Sequence, residues 1–106
     1  VRTEVVASLL KDLHEAGVSR LWVSHVHSIG AGVDPEDFRL SLNEGGSYSD
    51  KGKIEFLIPA EEVESVIEII REKGCTGHRG DGVVVVMDVT DVVSVRTGDR
   101  DLLALL

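Results

Sequence analysis

The residues richest in chemical possibility are Thr76 to Gly82, reading TGHRGDG. Gly77, Gly80 and Gly82 permit positive φ and close backbone approach, while Thr76 and Asp81 add hydrogen-bonding groups. Several N–H groups turned one way in such a loop form a nest for phosphate or another anion. The same glycines serve equally well in a tight link between a helix and a strand, and spacing alone leaves both readings open. His25 and His27 alternate, so they share one strand face and could offer two nitrogens to a metal ion. No Cys or third His follows closely, although Asp34, Glu36 and Asp37 do, and two polar residues at an exposed strand end or subunit contact is the plainer reading. His14 falls on the exposed side of a helical stretch, and His78 at most helps to hold a phosphate. Cys75 has no base placed beside it by a recognisable spacing and reads as a small buried hydrophobe. Lys51 and Lys53 flank Gly52 and read as a solvated pair.

The elements that must position these groups follow from periodicity. Residues 3–17 read as an amphipathic helix with Val5, Val6, Leu9, Leu10, Leu13 and Ala16 on one stripe, Thr3 as N-cap and Gly17 just past the end. SRLWVSHVHSIG (19–30) reads as a strand. FRLSL (38–42) and KIEFLIP (53–59) alternate as half-buried strands do, and NEGGSYSDKG (43–52) reads as a flexible turn or loop. A second helix opens on Pro59 and an acidic first turn, buries Val63, Val66, Ile67 and Ile70, and ends at Gly74. GVVVVMDV (82–89) is a continuous apolar run, as expected of a strand covered on both sides or buried at a sheet centre. DVVSVRTG (91–98) reads as a short final strand, and DLLALL closes the chain.

This order gives a complete second βαβ unit (53–89) and a first unit (3–29) without its opening strand. The simplest completion is an α+β, ferredoxin-like βαββαβ sandwich, an antiparallel sheet with two helices on one face. The opening strand of that topology is central, which predicts roughly 6–8 residues ahead of Val1, with DLLALL folding into that place as the alternative.

Composition sets the outer limits. One domain of 106 residues is long enough for a real core, and with four aromatics that core is aliphatic. A net charge of −8 argues against nucleic acid as partner, because phosphate neutralisation needs Lys and Arg. No apolar run approaches the length of a membrane span, no signal-peptide pattern opens the chain, and a single Cys suits a reducing compartment. These features together predict a cytoplasmic protein.

The stretch TGHRGDGVVVVMDVTDVVSVRTGD resembles the nucleotide-binding region of PII signal-transduction proteins, whose motif is close to TGxxGDGKIFV followed by a strand ending in RTGE. KIEFLIPAEEVESVIEII resembles the family's third strand and second helix, and GVSRLWVSHVHSIGAG resembles its TVTEVKGFGRQKG segment. The register holds without a gap from Gly17 to Gly98. The resemblance implies the same sandwich fold, a homotrimer, adenine-nucleotide binding in clefts between subunits, and a T-loop that controls transporters, enzymes or transcription regulators. Residues 31–52 would be that T-loop-like segment in a single PII-like domain spanning 1–106.

Carried over by position, the resemblance places Thr76, Gly77, Gly80, Asp81 and Gly82 around the phosphates and ribose. It puts Gly30 at the opening of the T-loop, Leu57 where backbone groups meet the adenine, and Arg96 on a phosphate. It also gives Lys51 a place at the ligand cleft. The departures from the pattern matter as much. Val83 stands where a lysine normally follows GDG, and Ser94 replaces an arginine, so two charge-assisted phosphate contacts are gone. AMP, ADP or a cyclic nucleotide is therefore favoured over ATP. Gly32 replaces the glutamine that serves 2-oxoglutarate and Mg-ATP, and Glu44 occupies the place of the uridylylated tyrosine, with Tyr48 four residues away.

The function this implies is a non-catalytic sensor that acts through its T-loop on a membrane transporter or metabolic enzyme, without entering the membrane itself. The alternatives are a metal-binding or purely structural trimeric module, with His25 and His27 as discriminating residues, and a small hydrolase, for which no nucleophile–base pair is apparent.

Overall fold

The computed structural model describes residues 1–30, 39–41 and 46–105, with backbone alone for 39–41 and 46–48. The expectations for Gly32, Asp34, Glu36, Asp37 and Glu44 lie outside the described residues.

Helix α1 (Val6–Glu15) carries the predicted stripe, with Leu9 and Leu13 fully buried. Its end is built as the sequence predicts. Gly17 takes φ +100°, its N–H donates to the His14 carbonyl (3.0 Å), and the Val18 N–H donates to the Leu13 carbonyl (3.0 Å). This pair of bonds satisfies carbonyls that the helix leaves open and tucks Val18 into the core. The start differs from expectation. Thr3 caps nothing; Thr3–Val5 is a 3₁₀ turn, and no side chain caps α1. The reason is that Arg2 is already committed to an antiparallel bridge with Lys51, so the chain must tighten immediately after it.

Strand β1 (Leu21–Ser28) pairs antiparallel with β3 (Gly46–Phe56) in continuous register from Leu21↔Phe56 to Ser28↔Ser49. The short β2 (Arg39–Ser41) pairs with β3 from Arg39↔Tyr48 to Ser41↔Gly46. The expected loop over 43–52 is thus corrected, because β3 already runs from Gly46. Cross-strand pairing overrides the weak local preference of a Gly- and Ser-rich stretch.

Helix α2 (Val63–Gly74) follows a 3₁₀ turn at Ala60–Glu62 and lies beside α1, where Lys73 and Asp12 form an ion pair at 3.2 Å. Leu9, Leu13, Val18 and Val66 form the buried centre. Leu21, Ile54, Phe56 and Ile58 pack onto it from the sheet side, which places both helices on one face. The result is the α+β sandwich the pattern predicts.

The C-terminal third departs most. Residues 82–89 pair with no described strand, and Val83 is 83% exposed, Val85 70% and Met87 77%. An apolar run becomes a buried strand only when it has an edge to bond to, and among the described residues none runs beside it. The second βαβ unit therefore lacks its closing strand here. Residues 91–98 likewise form no strand. They form a turn closed by the bridge Val93↔Arg100, with the Ser94 N–H on the Asp99 carbonyl (2.8 Å) and Gly98 at φ +77°. The described part of DLLALL does not fold into the sheet either, since Asp101–Leu105 is a 3₁₀ helix.

Candidate functional site

The glycine loop leaves α2 at Gly74 and is organised around one carboxylate. Asp81 accepts from the Thr76 N–H (2.7 Å), the Thr76 hydroxyl (2.5 Å) and the Gly77 N–H (3.1 Å). Across the fold, Arg2 donates from Nε to Asp81 (2.9 Å) and from a terminal nitrogen to the Arg79 carbonyl (2.9 Å). Lys51 places its ammonium on the Gly80 carbonyl at 2.5 Å. The Thr76 hydroxyl, then Arg2 and the two backbone N–H groups, hold the Asp81 carboxyl well below the usual carboxylate range, against a smaller opposing effect of desolvation. Gly77, Gly80 and Gly82 all take positive φ, at +84°, +100° and +108°. The loop is thus rigid for identifiable reasons: glycine at the left-handed positions and charge-assisted bonds to its oxygens.

Arg2 was not legible as a site residue. It is separated from Asp81 by 79 residues, and no local spacing signals the pairing. Lys51 corrects an expectation. It is not a solvated partner of Lys53 but is 6% exposed, held against the loop, whereas Lys53 is exposed.

The remaining positions divide between two grooves. Lys51, Gly80, Asp81 and Gly82 line a cavity of about 1060 Å³, which extends along β3 to Leu57 and over the two helices. Arg96 lines a separate groove with Arg20 and Val92–Val95, and Trp22 and Leu57 border both. Thr76 and Gly77 line neither and serve the loop's internal bonding, and Gly30 bends the chain after β1 with φ +103°. Within one chain, Arg96 and the glycine loop do not line a common cavity.

His25 and His27 do share a face, and both direct Nε2 at the same Asp50 oxygen, at 3.3 and 3.4 Å. Asp50 stands opposite His27 in the β1–β3 register, which explains the convergence. Among the described residues no group of three or more His, Cys, Asp or Glu side chains is arranged to hold a metal ion. Cys75 is exposed rather than buried, because it caps α2 with an extended backbone that turns it out of the helix face. Among the described residues no helix is long and apolar enough to cross a membrane.

Comparison with known proteins agrees with this architecture. Residues 1–99 match the family model described as Nitrogen regulatory protein P-II. A P-II homolog of Arabidopsis thaliana is 38% identical over 92% of the chain and 48% of its own length. One from Oryza sativa is 36% identical over 83% of the chain and 42% of its own length. The nitrogen regulatory protein P-II 1 of Methanothermobacter thermautotrophicus is 29% identical over 94% of the chain and 87% of its own length. The chain spans less than half the length of the two plant relatives.

Proposed function

The chain belongs to the P-II family of nitrogen regulatory proteins, and from that premise we propose that it senses an adenine nucleotide and controls a partner protein. The observation that carries this reading is the glycine loop held by two buried cations, Arg2 and its bridge partner Lys51 in the middle of β3. A rigid loop of this kind presents its backbone to a ligand without first paying for its own ordering. The separation of Arg96 from the loop favours a site built from two copies of the chain, and hence a homotrimer with clefts between subunits.

The ligand is AMP, ADP or a cyclic nucleotide in preference to ATP, since Val83 and Ser94 bring no cation to the outer phosphates. Lys51 sits at the end of the 31–52 segment and on Gly80, so one side chain joins the loop to that segment. A ligand that binds one arrangement of the pair more tightly than another shifts the population of the segment, and a partner protein reads the shift. The action is regulatory and not catalytic, and its setting is the cytoplasm.

Isothermal titration with AMP, ADP, cyclic AMP and ATP tests the reading. Saturable heat with one of the first three, and weaker binding of ATP, is the expected result. Absence of heat or competition with all four overturns it.

A further inference from the structure

Neighbouring residues of a strand point to opposite faces, so β1 turns Leu21 onto the buried centre and Trp22 away from the helices. Trp22 is the chain's one tryptophan and is 51% exposed. Among the described residues its ring packs against no other ring, and its indole N–H donates to no oxygen. A single exposed apolar side chain is ordinary on a protein surface, so its surroundings decide what it does. Trp22 stands where the two grooves meet. It borders the large cavity that holds Gly80, Asp81 and Gly82, and also the smaller groove that holds Arg20 and Arg96. Leu57, the residue after the end of β3, accompanies it in both. An aromatic face is thus set between the glycine loop and a groove lined by two guanidinium groups. Aligned on Gly30, Trp22 falls on the threonine that opens the TVTEVKGFGRQKG pattern, so the resemblance assigns the indole nothing.

We propose that Trp22 is the platform on which the base of the ligand stacks. The inference rests on the nucleotide-sensing reading and adds to it the residue that recognises the base. A purine is flat and apolar on its faces and polar on its rim. Laid on the indole it removes two broad apolar faces from water and leaves its rim free for backbone groups. Stacking is indifferent to the hydrogen-bonding pattern of that rim, since every base has a π-face. Trp22 therefore supplies affinity for nucleotides as a class and separates them from phosphorylated sugars that lack a base. Affinity of this kind does not depend on the outer phosphates, where Val83 and Ser94 bring no cation. It suits a ligand that carries a base and few charges.

With one tryptophan in the chain, its emission reads the site directly. The protein is titrated with AMP, ADP and cyclic AMP, and with ribose 5-phosphate as a ligand without a base, by calorimetry and by tryptophan fluorescence. The nucleotide that binds is expected to quench the emission saturably, at the midpoint that calorimetry gives, while ribose 5-phosphate leaves it unchanged. Trp22→Phe keeps a ring and most of the nucleotide affinity. Trp22→Leu keeps an apolar side chain without a ring, and weakens the nucleotide roughly 5- to 150-fold, the range that stacking of one base supplies. Ribose 5-phosphate binds the Leu variant as it binds the unaltered chain. Nucleotide heat with unchanged indole emission, undiminished nucleotide affinity in Trp22→Leu, or equal losses of nucleotide and ribose 5-phosphate overturns the proposal and leaves nucleotide sensing intact. No heat with any nucleotide overturns both. If Trp22→Leu does not fold, the fluorescence titration of the unaltered chain decides alone.

Discussion

Gly52 of β3 lies so close beneath Val6 of α1 that a Cβ on the glycine would stand 2.4 Å from Val6 Cγ2. The strand and the helix meet there with only the Val6 side chain between them, and Gly52 is also the residue that exchanges backbone bonds with Val1. The β-branched Val6 has little rotamer freedom to move aside in a helix. Gly52→Ala is therefore expected to destabilise the fold by about 1–3 kcal/mol through overpacking. Urea unfolding of the variant measures it. Pairing the substitution with Val6→Ala should recover most of the loss, since the clash is with one methyl group.

Gly17 makes a different demand. Nothing lies within 4 Å of where its Cβ would be, so only the backbone conformation at φ +100° opposes a side chain. Gly17→Ala is expected to cost roughly 1 kcal/mol, less than the Gly52 change, and Gly17→Asn still less, because Asn tolerates the left-handed region. Thermal melts of the three chains should rank them in that order.

The sequence makes the helices and their ends legible because each depends on residues within a few positions: a stripe at 3.6-residue spacing, a glycine after Ala16, a proline before α2. What failed was non-local. Lys51 reads as a solvated lysine until Gly80 is brought to its ammonium, and Arg2 carries no local signal until the fold lays it across Asp81. The stretch from Gly46 reads as a loop because Gly and Ser are weak strand formers, yet β1 and β2 supply the pairing. The run from Gly82 to Val89 fails in the opposite sense, since its apolar pattern is right for a strand and it finds no partner edge among the described residues. In the glycine loop the residue types were legible, but their mutual bonding was not. Thr76 and Gly77 spend their donors on Asp81 and do not line the cavity.

That bonding makes Asp81 a measurable reporter. Its folded-state pKa lies below the ordinary value of 3.8, so its stabilising contribution is present above that value and is lost as the pH falls toward the depressed one. Carboxyl NMR shifts should show Asp81 ionised at pH values where exposed aspartates have taken up protons. Thr76→Val should raise its pKa more than Arg2→Gln does, because the hydroxyl bond is the larger cause and the arginine the second. An Asp81 that titrates with the exposed carboxylates in the unaltered chain would contradict the loop geometry.

The proposed nucleotide preference has its own handle in Val83. The residue follows Asp81 and Gly82 directly and is 83% exposed, so a longer polar side chain enters without disturbing the buried centre. Val83→Lys returns an ammonium to the position from which the resemblance brings one toward the outer phosphates. One charge-assisted hydrogen bond is worth about 1.5–3 kcal/mol, so ATP affinity should rise roughly tenfold or more while AMP affinity moves little. Titration of the variant with both nucleotides separates this from a general gain in positive charge, which would raise the affinity for each phosphate-bearing ligand. Equal gains for AMP and ATP would mean that the outer phosphates do not lie beside residue 83. An unchanged ATP affinity would mean that the glycine loop does not hold a triphosphate at all.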